Sequence, residues 1–307
     1  MPRLAVLVTG GSGFLGGHLV RALVERGDAV HLLLRAGSVL APQLEERLTV
    51  TRIPEPTDSD AAADAVQLAL ETSAPDLVIS LATLRDVSDL RAAARMFDAN
   101  VRLPALLAAG LAARGGGAMI TTASYMLAPG GTAPSLYSAS RASIDPVLDW
   151  ACAHRDITTA TLALTSLYGP GDTRAKVLAA LLRAADSGAP MPLVHPDRRL
   201  DMLHVSDAVR AYLHAADLLA AGELAPRARH EVTSAAPTTL GELVAAVEAA
   251  TGRPIDARWG ERATTPSDAV DPPRTPNWLP GWKPAVTLDA GLATIVRPAV
   301  SVPGTPR

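Results

Sequence analysis

The run Val6-Leu-Val-Thr-Gly-Gly-Ser-Gly-Phe-Leu-Gly16 sets a glycine-rich turn directly between an apolar strand and a helix. Gly11, Gly13 and Gly16 satisfy G-x-G-x-x-G, and Thr9, Gly10, Gly13 and Gly16 also fit T-G-x-x-G-x-x-G. Glycines at these places allow a tight turn, close backbone approach to a pyrophosphate, and close packing of helix on strand. The helix N-terminus then faces the phosphates. The spacing therefore predicts a dinucleotide site over Thr9, Gly10, Gly11, Ser12, Gly13, Phe14, Leu15 and Gly16.

The pattern around this turn repeats. Apolar runs at 4–8, 29–34, 48–53, 77–81, 118–122 and 159–164 read as strands, and 14–25, 61–71 and 91–114 as helices between them. Short apolar strands alternating with helices imply a parallel sheet covered on both faces, an α/β doubly wound sheet of Rossmann type. After Gly169-Pro-Gly171 the rhythm loosens, and prolines 190, 192, 196, 226 and 237 break the chain into shorter pieces. Proline becomes dense from Pro266 to Pro284, which predicts an extended loop, and 301–307 reads as a frayed tail. The expected division is a dinucleotide-binding body over 1–170, rejoined at about 200–222. A smaller, loop-rich, substrate-binding part is expected from 171–199 and 223–307.

Composition narrows the function. The formal net charge of -3 gives no electrostatic reason to expect nucleic acid or an anionic membrane. Aromatics at 3% leave little for base stacking. The single cysteine, Cys152, excludes an internal disulfide framework, and the seven histidines show no metal spacing, so no metal is expected. No segment approaches the roughly 20 apolar residues a membrane helix needs, and the run at 4–8 is too short for a signal-peptide core. A cytoplasmic home is the expectation.

Two further places carry chemistry. An acid near the end of the second strand would bond a ribose 2′-hydroxyl, whereas an arginine can meet a 2′-phosphate. The sequence reads Val30-His-Leu-Leu-Leu-Arg35, with Leu34 in the acid's place and Arg35 following, which favours NADP(H) over NAD(H). The second place is Tyr137-Ser-Ala-Ser-Arg141. A tyrosine and a cation four residues apart share one helix face, where they can set a phenolic proton and a fixed charge beside one cofactor. Pro146 follows in what reads as the same helix, which it should kink.

With these motifs in order, the chain resembles the extended short-chain dehydrogenase/reductase family of nucleotide-sugar epimerases, dehydratases and ketoreductases. Further matches are Asp76-Leu-Val-Ile-Ser-Leu-Ala82, Asn100-Val101, Thr121-Thr-Ala-Ser124 and Tyr168-Gly-Pro-Gly-Asp172. Arg199-Leu-Asp-Met-Leu-His-Val-Ser-Asp207 fits R-x-D-x-x-H-V-x-D, and Leu279-Pro-Gly-Trp-Lys-Pro284 completes the set. The resemblance implies that Leu81 and Ala82 border the cofactor and that Tyr137 is the proton donor. Arg141 stands where the family has lysine; it can hold charge and ribose but cannot pass a proton on. The family's substrate-bonding hydroxyl falls on Ser124 in one register; another puts Ala123 there, with Thr122 adjacent.

Dehydratases of the family carry Asp-Glu after that hydroxyl; here Tyr125-Met126 follow, which argues against elimination. On the substrate side the resemblance implies Arg85, Ser166 (asparagine in the family), Arg199 and Arg258. His204 is expected to be structural. The activity implied is NADPH-dependent reduction of the 4-keto group of a nucleoside-diphosphate 4-keto-6-deoxysugar. Epimerisation, reduction of a non-sugar ketone, and a catalytically silent NADP-binding sensor or scaffold are the alternatives. Homodimers are common in the family, though no local feature of the sequence demonstrates one.

Overall fold

The computed structural model describes residues 3–40, 46–54, 59–126 and 133–296, and the expected frayed tail lies outside them. Seven strands form one parallel sheet in the order β11-β6-β5-β4-β1-β2-β3. They are β1 (Ala5–Thr9), β2 (Ala29–Arg35), β3 (Thr49–Ile53), β4 (Leu77–Ser80), β5 (Gly117–Ser124), β6 (Ile157–Leu164) and β11 (Arg227–Val232). Helix α1 (Phe14–Arg26) and helix α8 (Val205–Ala220) cover one face, where Leu19, Leu23, Leu32, Ile79 and Tyr212 make the core. Helices α2 (Ser59–Ser73), α4 (Leu103–Ala113) and α6 (Asp145–His154) cover the other, over Leu7, Val78, Leu107 and Leu148.

A third core belongs to the smaller body. It gathers Leu181 and Leu178 of α7 (Val177–Ser187), Leu243 of α9 (Leu240–Thr251), Leu292 of α10 (Leu288–Val296) and Tyr168. Tyr168 is on β7 (Ser166–Tyr168), which pairs in parallel with β10 (Met202–His204). The short pairs β8 (Met191–Leu193) with β13 (Ala257–Trp259), and β9 (Arg199–Leu200) with β12 (Thr238–Thr239), complete it.

The expected domain boundary needs correcting. Residues 227–232, expected in the substrate part, complete the main sheet as β11, so the first body is rejoined through α8 and on to Val232. In Arg227-Ala-Arg-His-Glu-Val232 burial alternates along the strand, as on a sheet edge. The continuous apolar run of a central parallel strand is missing, and with it the signal. This edge is covered. Asn277 N donates to Glu231 Oε2 at 2.7 Å, Asn277 Nδ2 to the Arg229 carbonyl at 2.7 Å, and Glu231 N to the Asn277 carbonyl at 2.9 Å.

The two carboxylates of the Arg199–Asp207 motif are structural. Asp207, fully buried, accepts from the backbone N–H groups of Ala285 and Val286 at 3.0 and 2.9 Å and pairs with Arg210 at 2.6 Å. Asp201 accepts from Thr165 Oγ1 at 2.7 Å and Ser234 N at 2.8 Å, although burial pushes its carboxyl above the usual range. His204 bonds Ser206 Oγ and Thr294 Oγ1 at 2.8 and 3.2 Å, tying the start of α8 to α10.

Two helices differ from their expected form. The segment expected at 91–114 is α3 (Leu90–Phe97), a π-helical turn Asp98–Arg102, and α4. The wide turn carries Asn100 into the interior, where all its side-chain bonds are satisfied. Its Oδ1 accepts from Leu84 N at 2.9 Å and Thr83 Oγ1 at 3.0 Å; its Nδ2 donates to the Leu84 carbonyl and Ser140 Oγ, both at 2.9 Å. Pro146 does not kink a helix. The chain leaves α5 (Leu136–Ala142) at Ser143, and α6 restarts at Asp145 with Pro146 in its first turn, where no N–H partner is needed.

Asn100 thus joins the loop after β4 to the helix carrying Tyr137. Asn100→Ala is expected to cost about 2–4 kcal/mol, because it strands several buried polar groups at once. A thermal or urea melt of the variant superimposing on the wild type would contradict this.

Candidate active site

A cleft of about 1570 Å³ opens at the carboxyl ends of the strands, bounded by the glycine loop on one side and by α7 and the C-terminal segments on the other. This is where an open α/β sheet offers its ligand crevice. Gly10 has φ +72°, and a Cβ there would come within 2.6 Å of Ala82 N, while a Cβ on Gly16 would overlap the Gly10 carbonyl. Helix α1 therefore begins directly above the carboxyl end of β1, with no side-chain cap and no acid in its first turn. Its free N–H groups and positive dipole end face the cleft, so the residues fit the pyrophosphate of a dinucleotide.

The expected cofactor residues divide in two. Gly10, Ser12, Gly13, Phe14, Leu15, Gly16, Arg35, Leu81 and Ala82 line the cleft. Thr9 is buried and works inside the sheet, its Oγ1 accepting from Ala82 N at 3.3 Å; Gly11 packs under the loop against Leu32 and Val20. At the end of β2, Leu34 turns into the core and Arg35 is exposed beside Ser38. Arg52 holds this corner, Nη1 donating to the carbonyls of Ser38 at 2.9 Å and Ala36 at 3.2 Å.

Tyr137, Ser124 and Thr122 reach the same cleft from α5 and β5. Their surroundings separate the two hydroxyl candidates. Thr122 Oγ1 is 2.6 Å from the fully buried Tyr212 hydroxyl, a partner on the α8 side of the sheet. Among the described residues Ser124 Oγ accepts only a long bond, from Met126 N at 3.3 Å. Tyr125, next along, also lines the cleft, and burial raises its hydroxyl above its ordinary value. The guanidinium of Arg85 lies 4.8 Å above the Tyr137 ring, a cation–π contact at the cleft wall.

Arg141 sits differently from its expected place. It is 3% exposed, forms no part of the cleft lining, and makes no hydrogen bond or ion pair with any described residue. Burial pushes its guanidinium below its ordinary value, against the favourable influence of Tyr137, Tyr212 and Asp145. It remains a cation at any working pH.

On the substrate side Arg85 and Ser166 line the cleft, but Arg199 and Arg258 do not. Arg199 is exposed on β9, and Arg258 pairs on the surface with Asp256 at 2.8 Å. Their neighbours Arg198 and Arg262 enter the cleft, both bound to Asp268 at 3.0 and 2.8 Å. Strand alternation explains the first exchange, since a shift of one residue turns a side chain to the other face. Arg174 and Lys176 went unnoticed in the sequence. Arg174 stacks on the Phe14 ring at 4.3 Å and grips Asp172 with Nε and Nη2 at 2.6 and 2.7 Å. Burial opposes ionisation of Asp172, but Arg174 outweighs it and holds the carboxyl below its usual value. With His18 Nε2 at 3.0 Å from the Pro170 carbonyl, this joins the Tyr168–Asp172 loop to α1.

Among the described residues no group of three or more His, Cys, Asp or Glu is placed to hold a metal ion, and no helix is long and apolar enough to cross a membrane. Similarity to known proteins agrees with the architecture. The UDP-glucose 4-epimerase of Thermotoga maritima, solved with UDP-glucose, superimposes with a TM-score of 0.77 at 20% identity, covering 95% of this chain and 97% of that one. The dTDP-glucose 4,6-dehydratase of Bacillus anthracis, solved with NAD, does so with a TM-score of 0.74 at 16% identity, covering 95% and 94%. Ceramide reductase of Caulobacter vibrioides is 28% identical over 210 residues, 67% of this chain but only 59% of that protein's length. The sequence profile of the NAD dependent epimerase/dehydratase family matches residues 6–225. The chain belongs to that family.

Proposed function

We propose that this protein reduces a ketone with NADPH, most specifically the 4-keto group of a nucleoside-diphosphate 4-keto-6-deoxysugar. The observation that carries the reading is the meeting of Tyr137, Ser124 and the glycine loop in one cleft. Among the described residues nine cationic side chains and three carboxylates line that cleft, an excess suited to a phosphorylated cofactor and a diphosphate-bearing substrate together. The bound nicotinamide supplies the hydride. Ser124 Oγ and the Tyr137 hydroxyl bond the carbonyl oxygen, and Tyr137 gives the proton that turns the developing alkoxide into an alcohol. Arg85, over the Tyr137 ring, and the buried charge of Arg141 set positive charge beside the proton donor. Arg198 and Arg262 are the arginines offered to the diphosphate. Elimination lacks its acid and base, since Tyr125 and Met126 follow Ser124.

The ending of β2 supports NADPH: a buried Leu34, an exposed Arg35 and a corner held by Arg52 suit a 2′-phosphate and offer no carboxylate to a free ribose. The structural neighbours named above act on or bind nucleotide sugars or NAD by their descriptions, which supports the substrate class and also keeps epimerisation as an alternative. The similarity to ceramide reductase favours a second reading, reduction of a non-sugar ketone by the same residues.

Turnover of NADPH against nucleoside-diphosphate 4-keto-6-deoxysugars and nucleotide-free ketones separates these readings; cofactor binding with no turnover at all would favour a silent sensor. Arg35→Ala is expected to weaken NADPH about tenfold, roughly 1.4 kcal/mol, and to leave NADH unchanged. Equal affinity of the wild type for the two cofactors would remove the preference. Tyr137→Phe is expected to lower kcat about 10²–10⁴-fold, the usual worth of a general acid, with NADPH affinity intact. Ser124→Ala should lower kcat while Thr122→Ala mainly lowers Tm; the reverse pattern would move the substrate hydroxyl to Thr122.

A further inference from the structure

Of the 28 basic residues in the chain only two are lysines, Lys176 and Lys283. Arginine stands everywhere else, including position 141 of the tyrosine helix. Lys283 is exposed in the loop after β13, whereas Lys176 lines the cleft at the N-terminus of α7. Its ammonium makes no hydrogen bond or ion pair with any described residue. Three charged groups act on it. Arg174, two residues earlier, and Arg85, from the loop after β4, repel it, and Asp172 attracts it. Asp172 is already gripped by Arg174 through two short bonds, so its attraction is largely spent. The α7 N-terminus, with no side-chain cap, adds more positive potential. Burial first, then the two guanidiniums, bring the Lys176 amine down to about 7.

An arginine at this place would stay charged, but a lysine can give up its proton and take it back. We infer that Lys176 is the residue that carries protons from solvent into the reaction, the task that a buried guanidinium at position 141 cannot perform. This rests on the ketone-reduction reading. In each turnover the carbonyl carbon gains a hydride, the carbonyl electron pair moves to oxygen, and that oxygen takes the Tyr137 phenolic proton. The phenolate takes a proton from the Lys176 ammonium through the shared cleft; that N–H bond breaks as the phenol O–H forms. Water at the open mouth of the cleft reprotonates the amine. One solvent proton is consumed for each ketone reduced. Arg85 connects the two ends of this transfer, stacked on the Tyr137 ring and acting electrostatically on Lys176.

The small number of lysines makes the test direct. Reductive methylation of the whole protein with 13C-formaldehyde labels Lys176, Lys283 and the N-terminal amine, and Lys283→Arg assigns the signals. Carbon shifts followed against pH are expected to put the Lys176 midpoint near 7, well below the ~10.4 of a free lysine side chain. A Lys176 midpoint close to the free-lysine value of ~10.4 overturns the inference. On a ketone that the wild type reduces, Lys176→Ala and Lys176→Arg should both lose about 10²-fold in kcat with unchanged NADPH affinity. The wild-type kcat should fall as pH rises through the Lys176 midpoint, because the ammonium is the donor, and methylamine should restore Lys176→Ala in part. Wild-type turnover by Lys176→Arg would show that only the charge matters and would also overturn it. If the wild type reduces no ketone, the reduction reading fails, while the carbon titration still decides whether Lys176 can exchange its proton.

Discussion

The start of α1 depends on one contact, the backbone of Gly16 lying against the Gly10 carbonyl with no room for a methyl group. It lets the helix leave the sheet within a single turn of β1, which aims uncapped N–H groups at the space above the strands. Move that helix outward by one methyl radius and its N-terminus no longer overlooks the cleft. Phe14 would then lose Arg174, His18 would lose the Pro170 carbonyl, and the loop joining the two bodies would lose both attachments.

The two bodies are also joined from below. Asp207 holds the backbone at Ala285 and Val286 and Asp201 holds Thr165 and Ser234, while within the first body Asn100 holds the loop after β4 against the tyrosine helix. Each is a buried polar group whose bonds are met, the condition under which such a group fixes geometry without destabilising the fold. Charge follows the same plan: the cleft carboxylates pair with cleft arginines, while Lys176 and Arg141 remain without a direct partner among the described residues.

The first half of the fold was legible because its signals are local. Glycine spacing and continuous apolar runs fix β1 to β6 in type and nearly in length. β11 was missed because an edge strand alternates, and the π turn because a single long apolar periodicity hides one extra residue per turn. At the site, residues on the glycine loop and on Tyr137's helix could be read from motif spacing. The arginines could not. Position 198 rather than 199, and 262 rather than 258, are decided by which face of a short strand or loop meets the cleft, and no local pattern records that. Lys176 left a compositional trace, a lysine in a chain that otherwise uses arginine, but its meaning depends on Arg85, distant in sequence.

The covered edge at β11 has a consequence for the protein in a crowded solution. A free parallel edge exposes a row of backbone donors and acceptors that can template pairing with another chain. Here Asn277 occupies part of that row, and Arg227 draws Asp145 and Asp149 across its end. The segment around Asn277 therefore serves as a guard against strand-to-strand association, since loosening it would bare the Glu231 N–H and the Arg229 carbonyl at the sheet edge.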